Sequence, residues 1–203
     1  IGRQLYDNGA YSTDYLPSAM MVYYETEDTT EIPSVIGISS AQKLAKIGVD
    51  PEYPLSGNYI LTADIDLSGY ANWTPIGYYS GDKNINGATT QFTGTFDGNG
   101  HTISNMNCLV DSGKYRFAGL FGSLKDATVK NLCLKDCQAS VYNGSVTSAA
   151  GMLTGGTVCS TSNPYSTVIS NVSVIGGWVK CAKANAYNPG AAGGLVGFAQ
   201  SGV

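Results

Sequence analysis

Charge is scarce in this chain: 13 % of its 203 residues are charged, about half the usual share. Eleven Lys and Arg against fifteen Asp and Glu leave a net charge of −4. That balance excludes the basic face that nucleic acid requires, and the shortage of Lys and Glu excludes a helical bundle. There is a single His, His101, and no Gly-x-Ser-x-Gly elbow to support a Ser-His-Asp triad. Cysteine is sparse at five residues, with no Cys-x-x-Cys pair and no neighbouring His, which argues against zinc. No apolar run approaches the roughly 20 residues of a membrane span. Met20-Met21-Val22-Tyr23-Tyr24 is far too short.

What is abundant is small and polar. Gly numbers 26, and the 14 Tyr outnumber the 5 Phe. Such a composition suits an extended β protein with many tight turns. A short phrase occurs three times, as His101-Thr102-Ile103-Ser104-Asn105-Met106, Ala127-Thr128-Val129-Lys130-Asn131-Leu132 and Thr167-Val168-Ile169-Ser170-Asn171-Val172. A second phrase alternates with it: Ala118-Gly119-Leu120-Phe121-Gly122, Ala150-Gly151-Met152-Leu153 and Gly193-Gly194-Leu195-Val196-Gly197. Strand-like phrases alternating in fixed order predict the rungs of a β-solenoid, with turns about 4.8 Å apart and paired in parallel. Asn105, Asn131 and Asn171 are then expected to form one structural ladder of stacked amides, since a buried amide needs its hydrogen bonds met. The intervals are 26 and 40 residues, as if the second turn carried an insertion. Gly119, Gly151 and Gly194 are expected where the chain turns or passes close to a neighbour.

Residues 1–35 read as an N-terminal extension or linker, and 36–203 as the β domain. One helix is expected near 39–47: Ser39 or Ser40 suits the N-cap, Ala41, Leu44, Ala45 and Ile47 mark an apolar face, and Gly48 suits the stop. Its task is to cover the first rung, because a solenoid exposes strand edges at its ends. Alternation in Tyr59–Leu67 predicts a strand. Asp97-Gly98-Asn99-Gly100 predicts a tight turn, and residues 78–90 and 155–166 predict outward loops. Most cysteines are expected to be small fillers of a narrow core, with one disulfide between rungs as the alternative.

The ordered set Tyr59–Ser68, Trp73-Thr74-Pro75-Ile76-Gly77 and Phe92–Ile103, with the two Gly-Leu phrases after it, resembles the GLUG-repeat modules of bacterial surface and secreted proteins. It is also similar to β-helical stretches beside IgA-specific metallopeptidases and in filamentous-haemagglutinin-like adhesins. The resemblance spans about residues 36–203. It implies a right-handed parallel β-helix, export, and a role in display, adhesion or spacing, and it implies no catalytic residue. Gly151-Met152-Leu153-Thr154-Gly155 departs from the repeated wording, so an irregular corner is expected there.

Candidate chemistry is thin. His101 follows a Gly-Asn-Gly turn and reads as a turn residue. Asp64 and Asp66 share a strand face, and Asp97 stands on a nearby phrase. Two carboxyls roughly 5 to 9.5 Å apart suit glycoside hydrolysis, but next-but-one strand residues meet that spacing by default. Calcium on the same oxygens is a weaker alternative, because the acidic Gly-rich nonapeptide is missing; no other cofactor is expected. Tyr78 and Tyr79 are the candidate binding residues, as exposed rings on which a sugar or partner can stack; Trp73 is expected to pack. Asn72-Trp73-Thr74 and Asn143-Gly144-Ser145 match the glycosylation pattern. The expectation is a non-catalytic extracellular module presenting loops to a host or environmental glycan or an extracellular protein. A polysaccharide lyase or hydrolase with a groove on one face is the rival, and a structural spacer beside a protease or adhesin head is the third reading. The chain starts at Ile1 and stops just after a Gly-Leu-Val-Gly phrase, so further domains of a longer parent are expected.

Overall fold

The computed structural model describes residues 34–78, 90–111, 116–142, 148–158, 167–182 and 190–200. Of the 1–35 extension, only Ser34 and Val35 fall among them.

Nearly all regular structure is β. The first pass of the chain contains β1 (Val35–Ile38) and a short helix, α1 (Ala41–Ala45). Ser40 caps the helix, its Oγ accepting from Lys43 N at 3.3 Å. Leu44 and Ile47 are buried and join the core. The second pass holds β2 (Asn58–Leu61) and β3 (Ile65–Asp66). In the third lie β4 (Thr95–Asp97), β5 (Thr102–Ser104), β6 (Asn107–Val110), β7 (Phe117–Ala118) and β8 (Phe121–Lys125). The fourth has β9 (Thr128–Lys135), β10 (Gln138–Val141), β11 (Ser148–Gly151) and β12 (Thr154–Val158). The last has β13 (Val168–Ile175), β14 (Trp178–Cys181), β15 (Gly190–Gly193) and β16 (Val196–Gln200).

These strands form one seven-stranded sheet and three three-stranded sheets, and every named pairing is parallel. The three small sheets run β6-β10-β14, β7-β11-β15 and β8-β12-β16. The long sheet stacks β13 on β9, and β9 in turn on β4 and β5. Three successive passes therefore visit the same sheets in the same order. The Gly-Leu phrases fall into register: Ala118, Ala150 and Ala192 share a row, as do Phe121, Thr154 and Val196. The corner expected to be irregular carries one residue more than the pass below it: Ala118 to Phe121 is three steps, whereas Ala150 to Thr154 is four, as is Ala192 to Val196. Residues 155–158 complete β12 rather than opening a loop; 159–166 lie outside the described residues.

The long sheet corrects the amide ladder. β9 runs through eight residues with one bend at Asn131, whereas the pass before it splits into β4 and β5 around Asp97–His101. Asp97 therefore pairs with Lys130, while Ser104 pairs with Lys135. Asn105 thus stands beside Asp136 and not beside Asn131. Each pass bends twice on this sheet, and the first copy of the phrase occupies the second bend while the other two occupy the first. Both bends use left-handed backbone: φ is 59° at Asn105 and 51° at Asp136, 55° at Asn131 and 51° at Asn171. Asn and Asp tolerate that conformation better than other side chains bearing a Cβ, so the residue type recurs without marking one column.

The core lies between the sheets. Phe92, Phe96 and Phe121 meet there, with ring centroids 4.9 and 5.5 Å from Phe121. Further along, inward positions become small, as at Ala139, Ala149 and Ala150. Cys108 and Cys137 are fully buried among them, and no disulfide joins the four described cysteines. Crowding explains Gly119 and Gly151, where a Cβ would stand 2.4 Å from the Gly151 and Thr154 carbonyl oxygens respectively. It does not explain Gly194, which is open; register places Gly193 in that row, and there a Cβ would sit 1.9 Å from Val196 O.

Candidate functional site

Bends in the long sheet decide where its polar groups go. At the first bend Asn131 donates Nδ2 to Asp97 Oδ1 at 3.0 Å and accepts from Asn171 Nδ2 at 2.9 Å. Lys130 Nζ adds a contact to Asp97 at 3.3 Å. Burial works to raise the Asp97 pKa, but bonds from Asn99 N, Asn131 and Lys130 prevail and hold the carboxyl below the usual range.

At the second bend Asn105 Nδ2 donates to Asp66 Oδ1 at 2.9 Å, and Ser68 N donates to the same oxygen at 2.9 Å. Asp64 Oδ1 receives Thr102 N at 2.9 Å and lies 3.1 Å from His101 Nδ1. These bonds lower both carboxyls, Asp64 chiefly through Thr102 N and then His101, Asp66 chiefly through Asn105. Asp64, Thr102, Ser104, Asn105, Lys135 and Asp136 surround a shallow polar hollow of about 280 Å³. Asp64 and Asp66 thus belong to this bend, whereas Asp97 belongs to the other. Each carboxylate accepts bonds from the next pass; that tie is structural. Among the described residues no group of three His, Cys, Asp or Glu is arranged to hold a metal ion.

The expected aromatic site takes shape elsewhere. Trp73 is buried as expected, its indole Nε1 donating to Leu120 O at 3.2 Å. Tyr70 meets it edge-on, centroids 5.6 Å apart, and its hydroxyl reaches Ala41 O at 3.4 Å. Tyr78 is half-buried and forms the base of the 78–90 loop: Tyr78 N donates to Thr90 O at 2.7 Å, and Thr90 Oγ1 to Tyr78 O at 2.9 Å. Together with Val49, Leu55, Pro75 and the end of α1, these rings line a largely apolar cleft of about 360 Å³. Tyr79 lies outside the described residues. Sequence reading missed the cleft's other wall, Ala45, Ile47, Gly48, Val49 and Leu55, because only the stacking of the first pass on the second brings it opposite Tyr78. Asn72 of the glycosylation pattern spends its amide on β6, donating to Leu109 O at 3.0 Å and accepting from Leu109 N at 2.7 Å. Asn143 lies outside the described residues.

No family model matches the chain. Over 92 residues, 44 % of its length, the chain is 38 % identical to halomucin from Haloquadratum walsbyi (strain DSM 16790 / HBSQ001), and this stretch is 1 % of halomucin. Among solved structures it is similar to a protein from Bacteroides ovatus described as a "putative immunoglobulin A1 protease", with a TM-score of 0.53 and 19 % identity. That likeness covers 83 % of this chain and 53 % of the other, so the chain spans about half the length of the solved neighbour. At this identity the likeness is one of fold. Among the described residues, no helix is long and apolar enough to cross a membrane.

Proposed function

We propose that the chain is a non-catalytic extracellular module of the GLUG-repeat kind, a right-handed parallel β-helix that holds a recognition cleft and its bordering loop for contact with a glycan or an extracellular protein. The observation that carries this reading is the cleft walled by Tyr70, Pro75 and Tyr78 against the first pass. Half-buried tyrosines lining a largely apolar cleft suit contact with a sugar ring or an aromatic side chain. Export is supported by the likeness to halomucin and to the protein described as a "putative immunoglobulin A1 protease".

The hollow beside Asp64, Lys135 and Asp136 favours an enzyme as the second reading, since it joins carboxylates and a base on one face. A glycosidase pair needs one carboxyl held protonated near neutral pH. Asp64, Asp66 and Asp97 are all displaced the opposite way, which weighs toward binding.

A glycan and matrix-protein array, probed with the wild type, Tyr78→Ala and Tyr78→Ala/Tyr79→Ala, tests both readings. Binding weakened about three- to tenfold by Tyr78→Ala matches the usual worth of an aromatic contact. Absence of any binding, or binding indifferent to both variants, sinks the cleft; shortening of an arrayed glycan that depends on Asp64 favours the enzyme.

A further inference from the structure

The cleft has a neighbour. Gly48, Val49 and Leu55 also wall a second hollow of about 360 Å³, completed by Asp50, Pro51, Pro54, Ser56 and Thr93. Val49 is common to both and 81 % exposed, more than any other large apolar side chain among the described residues. Gly48 shapes this shared wall: its backbone is left-handed (φ 77°), and a Cβ there would stand 2.6 Å from Leu55 Cδ2.

Charge and hydrogen bonding narrow what the paired hollows can take. Among the described residues lining the cleft none is charged. Asp50, the one charged side chain lining the second hollow among the described residues, is already engaged by Lys46 Nζ at 3.0 Å and by Glu52 N at 3.0 Å. Three side-chain donors of the cleft are spent as well: Trp73 Nε1 donates to Leu120 O, Tyr70 Oη to Ala41 O and Thr90 Oγ1 to Tyr78 O. A sugar brings several hydroxyls per ring, and each one buried without a partner weakens binding. The N–H groups of an ordinary peptide carry the same penalty. Proline brings an apolar ring and no N–H.

We propose that the paired hollows bind a proline-rich, uncharged segment of an extracellular polypeptide, seated across Val49 with its rings against Tyr70 and Tyr78 on one side and Pro51 and Pro54 on the other. Aromatic-lined grooves take such segments because a polyproline helix arrives extended and loses little freedom on docking. This deepens the reading of the cleft as a recognition site and rests on it.

Titration of labelled probes with the whole chain, followed by fluorescence anisotropy, tests it. The probes are a panel of proline-rich peptides without charged residues, the same peptides with alanine for proline, the same with aspartate interspersed, and neutral oligosaccharides. Members of the first set are expected to bind, and their altered forms to bind at least about tenfold more weakly. Val49→Asp places a charge on the shared wall and is expected to weaken the proline-rich peptides by a similar factor. Its melting curve stays unchanged because Val49 is exposed, which separates lost docking from lost folding. No binding by the proline-rich set, equal binding of the alanine forms, or binding indifferent to Val49→Asp would overturn the proposal. Oligosaccharides that bind instead and weaken in Tyr78→Ala would overturn it while leaving the recognition cleft standing. If neither peptide nor sugar binding depends on Tyr78, the cleft reading falls with it.

Discussion

Asn171 lays its side-chain amide on that of Asn131, Nδ2 to Oδ1 at 2.9 Å, across 40 residues of sequence. Asn131 passes the contact on to Asp97 at 3.0 Å, so three passes of the chain are tied at one bend. Both asparagines also hold left-handed backbone, and the two roles can be separated by substitution. Asn131→Gly keeps the backbone and removes the bonds, with an expected loss of about 1–2 kcal/mol. Asn131→Ala loses the bonds and strains the bend, adding about 1–2 kcal/mol more. Denaturant unfolding of both variants checks the order; an alanine variant as stable as the glycine one contradicts it.

Crowding separates two glycines of the repeated phrase. A Cβ on Gly151 would stand 2.4 Å from Thr154 O and 2.6 Å from Gly197 N, whereas one on Gly194 meets nothing within 4 Å. Gly151→Ala is expected to cost about 2–4 kcal/mol and Gly194→Ala to stay within about 0.5 kcal/mol. Thermal melts of the pair show whether the row is as tight as drawn.

Acid should loosen the long sheet. Asp64, Asp66 and Asp97 have folded pKa values below their ordinary value of 3.8. A depressed carboxyl binds its proton more readily when unfolded, so its stabilisation is present above that value and is lost as pH falls through the folded one. Stability should therefore hold down to about pH 4 and decline below it. Asp97→Asn should flatten that decline, as measured by urea midpoints against pH.

Thiol chemistry should follow burial. Burial pushes the Cys108 thiol up to about 12 and raises that of Cys137 as well, and a thiol rather than a thiolate is a poor nucleophile. Neither should react with a disulfide reagent until the chain unfolds. Of the four described cysteines, Cys133 and Cys181, half-buried, should be modified before the other two. Peptide mapping after brief labelling reads this out, and early modification of Cys108 would contradict the packing.

The sequence alone determined the local grammar. Alternation and β-branched residues set strand phrases, Asn and Asp set left-handed bends, and Ser40 with Leu44 set a helix, because each depends on a residue's own conformational preferences and near neighbours. It also settled that Trp73 would pack, since a large ring amid apolar residues has little alternative. Only the tertiary structure decided which phrase lies over which. Asn105 and Asn131 have the same local wording, yet two extra residues between β4 and β5 shift the register and send Asn105 to Asp66. The cleft at Tyr78 is likewise a product of stacking. Its walls come from residues far apart in the chain, and no local preference encodes how distant strands align.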